Sequence, residues 1–185
     1  MALRASIIGL FLLAAQGGVG PWVQEGTAPE SRIKAAFLYH FTQYVDWPTD
    51  RFKAEDDPFA IAILGRDPFG EELDRAVKDK SVKTHPIQVR RSDSLKDLDS
   101  CPLLFLSRSE SRKWPEIRKA LAGKAVLTIG EWENFAATGG AIGFFVEENK
   151  VRFEINPEAA ERHGLKVSSR LLKLARIVKP SEPTK

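Results

Sequence analysis

A second cysteine is missing from this 185-residue chain, so Cys101 has no intrachain disulfide partner. Histidine is almost as scarce: the three present, His40, His85 and His163, share no spacing that would gather a metal ion or build a relay. HExxH, CxxC, GxGxxG, GxSxG and P-loop patterns are all absent. Their loss removes the sequence signatures of zinc peptidases, dithiol redox proteins, dinucleotide enzymes, α/β-hydrolases and P-loop NTPases. No large charge excess exists either, since 28 Lys and Arg face 25 Asp and Glu for a net +3. That balance does not call for nucleic acid. No cofactor or metal is expected, and after the first residues no apolar run is long enough to span a bilayer.

What is present begins with a targeting signal. Arg4 precedes the apolar run Ile7 to Ala15, which is followed by the small and helix-breaking stretch Gln16-Gly17-Gly18-Val19-Gly20-Pro21. This is the order of a secretory signal peptide over residues 1–20, cleaved after Gly17 or Gly20. No cysteine follows at that point, which excludes a lipid anchor there. The mature protein is expected to be soluble and exported, with a leader over 21–29, one α/β domain over 30–179 and a disordered tail over 180–185.

Hydrophobic periodicity sets out the domain. Ser31 opens a helix whose apolar face reads Ile33, Ala36, Phe37, His40, Phe41, Tyr44 and Val45, and Trp47-Pro48 ends it. Phe59 to Leu64 is an unbroken apolar run, expected as a strand buried on both faces. A helix from Phe69 to Val77 follows, with Asp67 as N-cap and Pro68 at its first position. Val82 to Arg90 reads as a strand near a sheet edge because Pro86 interrupts it. Next come a strand at Leu103–Leu106, a helix over Ser111–Leu121, a strand at Val126–Ile129 and a short helix over Glu131–Ala137. After a hairpin, Asn156-Pro157 restarts a helix that stops at Gly164, and Ser168 or Ser169 caps a final helix ending near Val178. The alternation predicts an α/β fold: a mostly parallel, Rossmann-like sheet flanked by helices, with an antiparallel C-terminal hairpin.

That hairpin, Gly139 to Asn156, carries the most specific information. With Glu148-Asn149 as a two-residue primed turn, Val146 faces Val151, Phe144 faces Phe153 and Ile142 faces Ile155, giving one apolar side. The opposite side pairs Phe145 with Arg152, Gly143 with Glu154 and Ala141 with Asn156. Small residues opposite Glu154 and Asn156 suggest a binding notch, with an Arg152–Glu154 ion pair or an Arg152–Phe145 cation-π contact beside it. An exposed polar hairpin face reads equally from the same letters. Asn156 has a competing task as the cap of the helix that Pro157 begins.

Further candidates lie at the carboxyl ends of the strands, where ligands of parallel sheets gather. Gly65-Arg66-Asp67, Ser107-Arg108-Ser109 and Gly130-Glu131 meet there, either as an anion site lined by Arg66, Asp67, Ser107 and Arg108 or as capped turns. The final helix carries Arg170, Lys173, Arg176 and Lys179, a solvated basic face or a docking surface for acidic segments or phosphate headgroups. His40 reads as a core residue, and Cys101 as a small buried hydrophobe rather than a reactive thiol.

Five segments in order, IKAAFLYHFTQYVDWP, IAILGRDPFG, CPLLFLS-RSE, GGAIGFFVEENKVRFEIN and GLKVSSRLLKLAR, resemble the YfiR-like family of periplasmic regulators. The resemblance spans Ile33 to Arg176 and implies a non-catalytic α/β domain, often a homodimer. It also implies a partner, the periplasmic sensor region of an inner-membrane diguanylate cyclase, which the protein restrains so that cyclic-di-GMP synthesis falls. Some relatives carry cysteine pairs; with Cys101 alone, disulfide-controlled release within one subunit is excluded here. On this reading Arg152, Glu154, Phe145, Arg170 and Lys173 face the partner. The alternative is a periplasmic small-ligand sensor acting on a histidine kinase or transporter.

Overall fold

The computed structural model describes residues 29–48, 51–52, 54, 57–98 and 100–179; the expectations for the signal peptide, most of the leader and the tail lie outside them. The chain begins with α1 (Glu30–Gln43), β1 (Val45–Asp46), β2 (Phe59–Leu64), α2 (Glu71–Val77), β3 (Ser81–Val82) and β4 (His85–Ser92). It continues through β5 (Leu103–Leu106), a 3-10 segment (Arg108–Lys113) running into α3 (Trp114–Ala120), and β6 (Leu127–Gly130). The hairpin strands β7 (Ile142–Glu147) and β8 (Lys150–Ile155) follow, then α4 (Pro157–Arg162), β9 (Lys166–Val167), α5 (Ser169–Leu172) and β10 (Arg176–Ile177).

Among the described residues the main sheet has the order β10-β8-β7-β6-β5-β2-β4-β3, and β1 pairs with β9 in a separate antiparallel ribbon. Strands β4, β2, β5, β6 and β7 are mutually parallel, β8 runs antiparallel to β7, and β10 is parallel to β8. Across the parallel part the strands follow the chain order second, first, third, fourth, fifth. Crossovers reverse direction between β2 and β5, so the sheet has a switch point there.

Strict alternation splits the core in two. Phe59, Ile61 and Ile63 of β2 face α1 and α2 with Leu38, Phe41 and Leu73, whereas Ala60, Ala62 and Leu64 face α3 with Trp114, Ile117 and Leu121. All six β2 residues are buried, as expected of a strand covered on both faces.

Several local expectations fail for identifiable reasons. Helix α1 buries Lys34, Ala35, Leu38, Phe41 and Thr42, while Ala36, His40 and Tyr44 are exposed. The buried stripe is turned by one residue, about 100°; it packs Ala35, Leu38 and Phe41 into the core and brings the Lys34 ammonium to Glu131 at 2.9 Å. Helix α2 starts at Glu71, since Asp67 accepts the Phe69 N–H at 2.7 Å in a local turn and Gly70, at φ +52°, becomes the N-cap. Glu131–Ala137 forms successive turns rather than a helix, with Asn134 at φ +62°. The strand expected over Val82–Arg90 is split by a turn at Lys83, φ +54°, which leaves the two-residue β3 at the edge. The helix expected from Ser111 begins earlier, as the 3-10 segment. The last helix is only four residues long: Ser168 caps it, and the chain then adds β10 to the outer edge of β8. Unpaired edge groups on β8 are thereby satisfied, and Arg170, Lys173, Arg176 and Lys179 share no helical face.

Candidate functional site

The hairpin has the register its spacing predicts, from Ile142↔Ile155 through Gly143↔Glu154 to Val146↔Val151. Glu148 and Asn149 both have positive φ, 50° and 57°, as a type I′ turn demands. On the apolar side Ile142, Phe144, Phe153 and Ile155 are buried, but Val146 near the tip stays 54% exposed.

On the polar side the partners differ from those expected. The Arg176 guanidinium, delivered by β10, lies 4.0 Å from the Phe145 ring centroid and donates to Glu147 at 2.8 Å. Arg152 points to Glu147 at 3.9 Å; neither the Arg152–Phe145 contact nor the Arg152–Glu154 pair forms. Glu154 folds over Gly143, where a Cβ would stand 3.0 Å from its Oε1. The notch is thus filled by the carboxylate that was to line it. Partial burial pushes the Glu154 carboxyl above the ordinary range, against the opposing pull of Arg176 and a hydrogen bond from the Ala136 backbone.

Neighbouring glycines are explained in the same way. A Cβ on Gly140 would lie 2.2 Å from the Phe135 ring and one on Gly130 2.6 Å, while Gly139, at φ +102°, has Arg118 against it. The close approaches are intramolecular. Asn156, fully buried, accepts the Ala159 N–H at 3.0 Å as the α4 cap and donates to the Ala136 carbonyl at 2.8 Å.

At the switch point the strand-end donors are also taken. The Ser109 hydroxyl accepts the Arg66 N–H at 3.2 Å and donates to Glu110 at 3.1 Å; Glu110 is 5% exposed and pairs with Lys113. The Arg108 N–H donates to Glu131 Oε1 at 3.4 Å, and its guanidinium to the Glu131 carbonyl. Ser107 is buried against Ser109, and Asp67 is paired with Arg91 at 2.7 Å. Three of the four predicted residues thus have donors already engaged, Arg66 and Ser107 with the Ser109 hydroxyl and Arg108 with Glu131, while the Asp67 carboxylate is held by Arg91. Lys34 sits between Glu30 and Glu131 behind this region. Burial lowers its basicity, yet the two carboxylates outweigh that and hold it above its ordinary value.

A concavity that periodicity did not reveal lies on the other face. Phe37, His40 and Tyr44 of the α1 region, Phe153 of β8, and Arg170, Leu171 and Leu174 around α5 enclose about 240 Å³. Its walls are mainly apolar, and Tyr44 and Leu174 remain 37% and 76% exposed. Among the described residues the Arg170 guanidinium has no ion-pair partner; Lys173 is exposed at the end of α5. Counting His40 and Tyr44 into the buried face of α1 hid this groove. The signal was their polarity, which set them apart from Leu38 and Phe41.

The remaining candidates are structural. His85 stacks on Phe52 with centroids 3.9 Å apart and donates from Nδ1 to the Asp57 carbonyl, and Cys101 is buried. Among the described residues no cluster of His, Cys, Asp and Glu could hold a metal ion, and no helix is long and apolar enough to cross a membrane. Comparison with protein families finds a match over residues 31–176 to the family described as YfiR/HmsC-like, covering α1 through the start of β10. With most of its length matched, the chain belongs to the YfiR/HmsC-like family.

Proposed function

We propose that this protein is a non-catalytic periplasmic regulator that binds the periplasmic sensor region of an inner-membrane diguanylate cyclase. Binding holds the cyclase in its inactive arrangement, and release permits cyclic-di-GMP synthesis. Such control requires a difference in affinity for the two states of the cyclase. Family membership supports the class of function. The observation that carries the docking site is the apolar groove between α1 and α5 with Arg170 at its rim. Exposed Leu174 and Tyr44 beside a guanidinium without an ion-pair partner among the described residues match a partner segment that inserts an apolar side chain and places a carboxylate against Arg170. Lys173 adds positive charge nearby, and the Phe145, Arg152 and Glu154 side of the hairpin forms a second, polar contact.

Burying a leucine side chain contributes about 1.5–3 kcal/mol, so Leu174→Glu is expected to weaken capture of the cyclase's periplasmic region roughly ten- to hundredfold. Deleting the gene should raise cellular cyclic-di-GMP, measured by mass spectrometry, and restoring the Leu174→Glu form should not lower it fully. Unchanged cyclic-di-GMP in the deletion strain, with no retention of the cyclase by purified protein, rejects the reading.

A further inference from the structure

The opposite end of the sheet holds a second concavity, formed where the turn after α3 enters β6 and where α4 follows β8. It encloses about 640 Å³ and is lined by Arg118, Lys119, Gly123, Gly139, Arg162 and His163 among others, with no carboxylate in its wall. Basic residues in the last turn of a helix are ordinary compensation for the negative helix end. That accounts for cations on α3 and on α4 separately. It does not account for both helices turning theirs into one cavity, where like charges repel and a bound anion would relieve the repulsion.

Individual partners leave this charge largely uncompensated. Arg118 spends one N–H on the Thr138 carbonyl at 2.7 Å, a neutral acceptor. The nearest carboxylate to Arg162 is Glu158, at 4.0 Å the outer limit of an ion pair. Lys119 has no ion pair among the described residues and is exposed. His163 donates from Nδ1 to the Lys124 carbonyl at 2.7 Å, which fixes the ring and leaves Nε2 for another partner. The floor is bare backbone at Gly123, φ +75°, where an added Cβ would meet nothing within 4 Å. Its N–H donates to no acceptor among the described residues, whereas the following Lys124 N–H returns to Leu121.

We propose that this cavity binds a compact anion carrying two or more phosphoryl groups. Guanidinium groups suit phosphate oxygens through paired N–H donors, and Lys119 adds a point charge. The volume falls within the range of small-molecule sites, about 300–1,000 Å³. The three cations Arg118, Lys119 and Arg162 exceed the charge of one phosphoryl group, about −1.5 to −2 near pH 7; a diphosphate matches them better. This site lies at the amino ends of β6 and β7, away from both the groove and the carboxyl-end crevice.

Calorimetric titration of the folded protein with pyrophosphate at low ionic strength tests the assignment. Saturable binding is expected, tighter than for orthophosphate and weakening as salt is added. Lys119→Gln and Arg162→Gln should each weaken it about tenfold or more, as loss of a charge-assisted contact predicts, while Lys96→Gln should not. Circular dichroism of each variant checks that the fold is kept, as their exposure implies. Sedimentation with phosphatidylglycerol vesicles, compared with phosphatidylcholine, distinguishes a lipid source of the same phosphoryl chemistry. Binding there that depends on Lys119 and Arg162, without pyrophosphate binding, overturns the assignment to a compact diphosphate in favour of single phosphates on a lipid surface. Absence of binding to both probes, or binding indifferent to both substitutions, overturns the proposal.

Discussion

Replacing Gly140 by alanine should be among the most damaging single-methyl additions in this protein. Its Cβ would stand 2.2, 2.5 and 2.5 Å from three atoms of the Phe135 ring, against a favourable carbon–carbon separation of about 3.5–4.0 Å. The ring has little room to retreat: it is fully buried and packed against Trp114 and Trp132, each with centroids 4.7 Å away. Nor can Gly140 move freely, because its N–H donates to the Phe135 carbonyl at 3.0 Å. Overpacking of this kind costs typically about 1–3 kcal/mol and occasionally more; so constrained a site belongs at the upper end. For a protein of this size about 3 kcal/mol corresponds to a fall in Tm of roughly 6–12 °C. Urea unfolding followed by tryptophan fluorescence measures it, with an unchanged m-value showing that stability alone has altered. Gly143→Ala is the control, because there the added methyl meets the Glu154 carboxylate, the end of a flexible side chain, and a cost below about 1 kcal/mol is expected. Phe135→Leu should recover part of the Gly140→Ala loss, with a coupling of about 0.5–3 kcal/mol. Equal costs for Gly140→Ala and Gly143→Ala, or additive effects with Phe135→Leu, would refute the claim that the glycine exists to admit this ring.

Asn156→Ala removes a cap worth about 1 kcal/mol and one of two bonds to the Ala136 carbonyl, which keeps the Gly139 N–H at 3.2 Å; loss of that one bond adds about 0.5–1.5 kcal/mol, and urea denaturation should show their sum. Because the folded fold raises the Glu154 carboxyl above its ordinary 4.5, Glu154 favours folding below that value and loses the contribution as pH rises through its folded value. Glu154→Gln should therefore abolish this pH dependence and be at least as stable as the native protein at pH 7, checked by melting curves from pH 4 to 7.

Legibility followed the range of the interaction. Period-two alternation and the Glu148-Asn149 turn act between neighbours in one ribbon, so the hairpin register was readable residue by residue. The both-sides-apolar run at Phe59–Leu64 was equally plain. What could not be read depends on distant partners: Lys34 meets Glu131, 97 positions away, and α5 is cut short because β8 offers an edge. The site suffered for the same reason. Glycines opposite polar residues did announce close approach, but nothing local says whether a ligand or the protein's own side chain makes it. The α1–α5 groove joins residues more than 120 positions apart, beyond any periodic signal.

The placement of β10 has a consequence for how the sheet is completed in time. Strands β2, β5 and β6 all precede the hairpin in the chain, whereas the outer edge of β8 is covered only when Arg176 and Ile177 arrive near the end of the matched region. Until then a chain with its hairpin already formed presents an open edge to any other strand, the condition for intermolecular pairing. A chain cut before Arg176 would keep that condition permanently and lose the guanidinium over Phe145, so its first failure would be association through the exposed edge rather than loss of regulation.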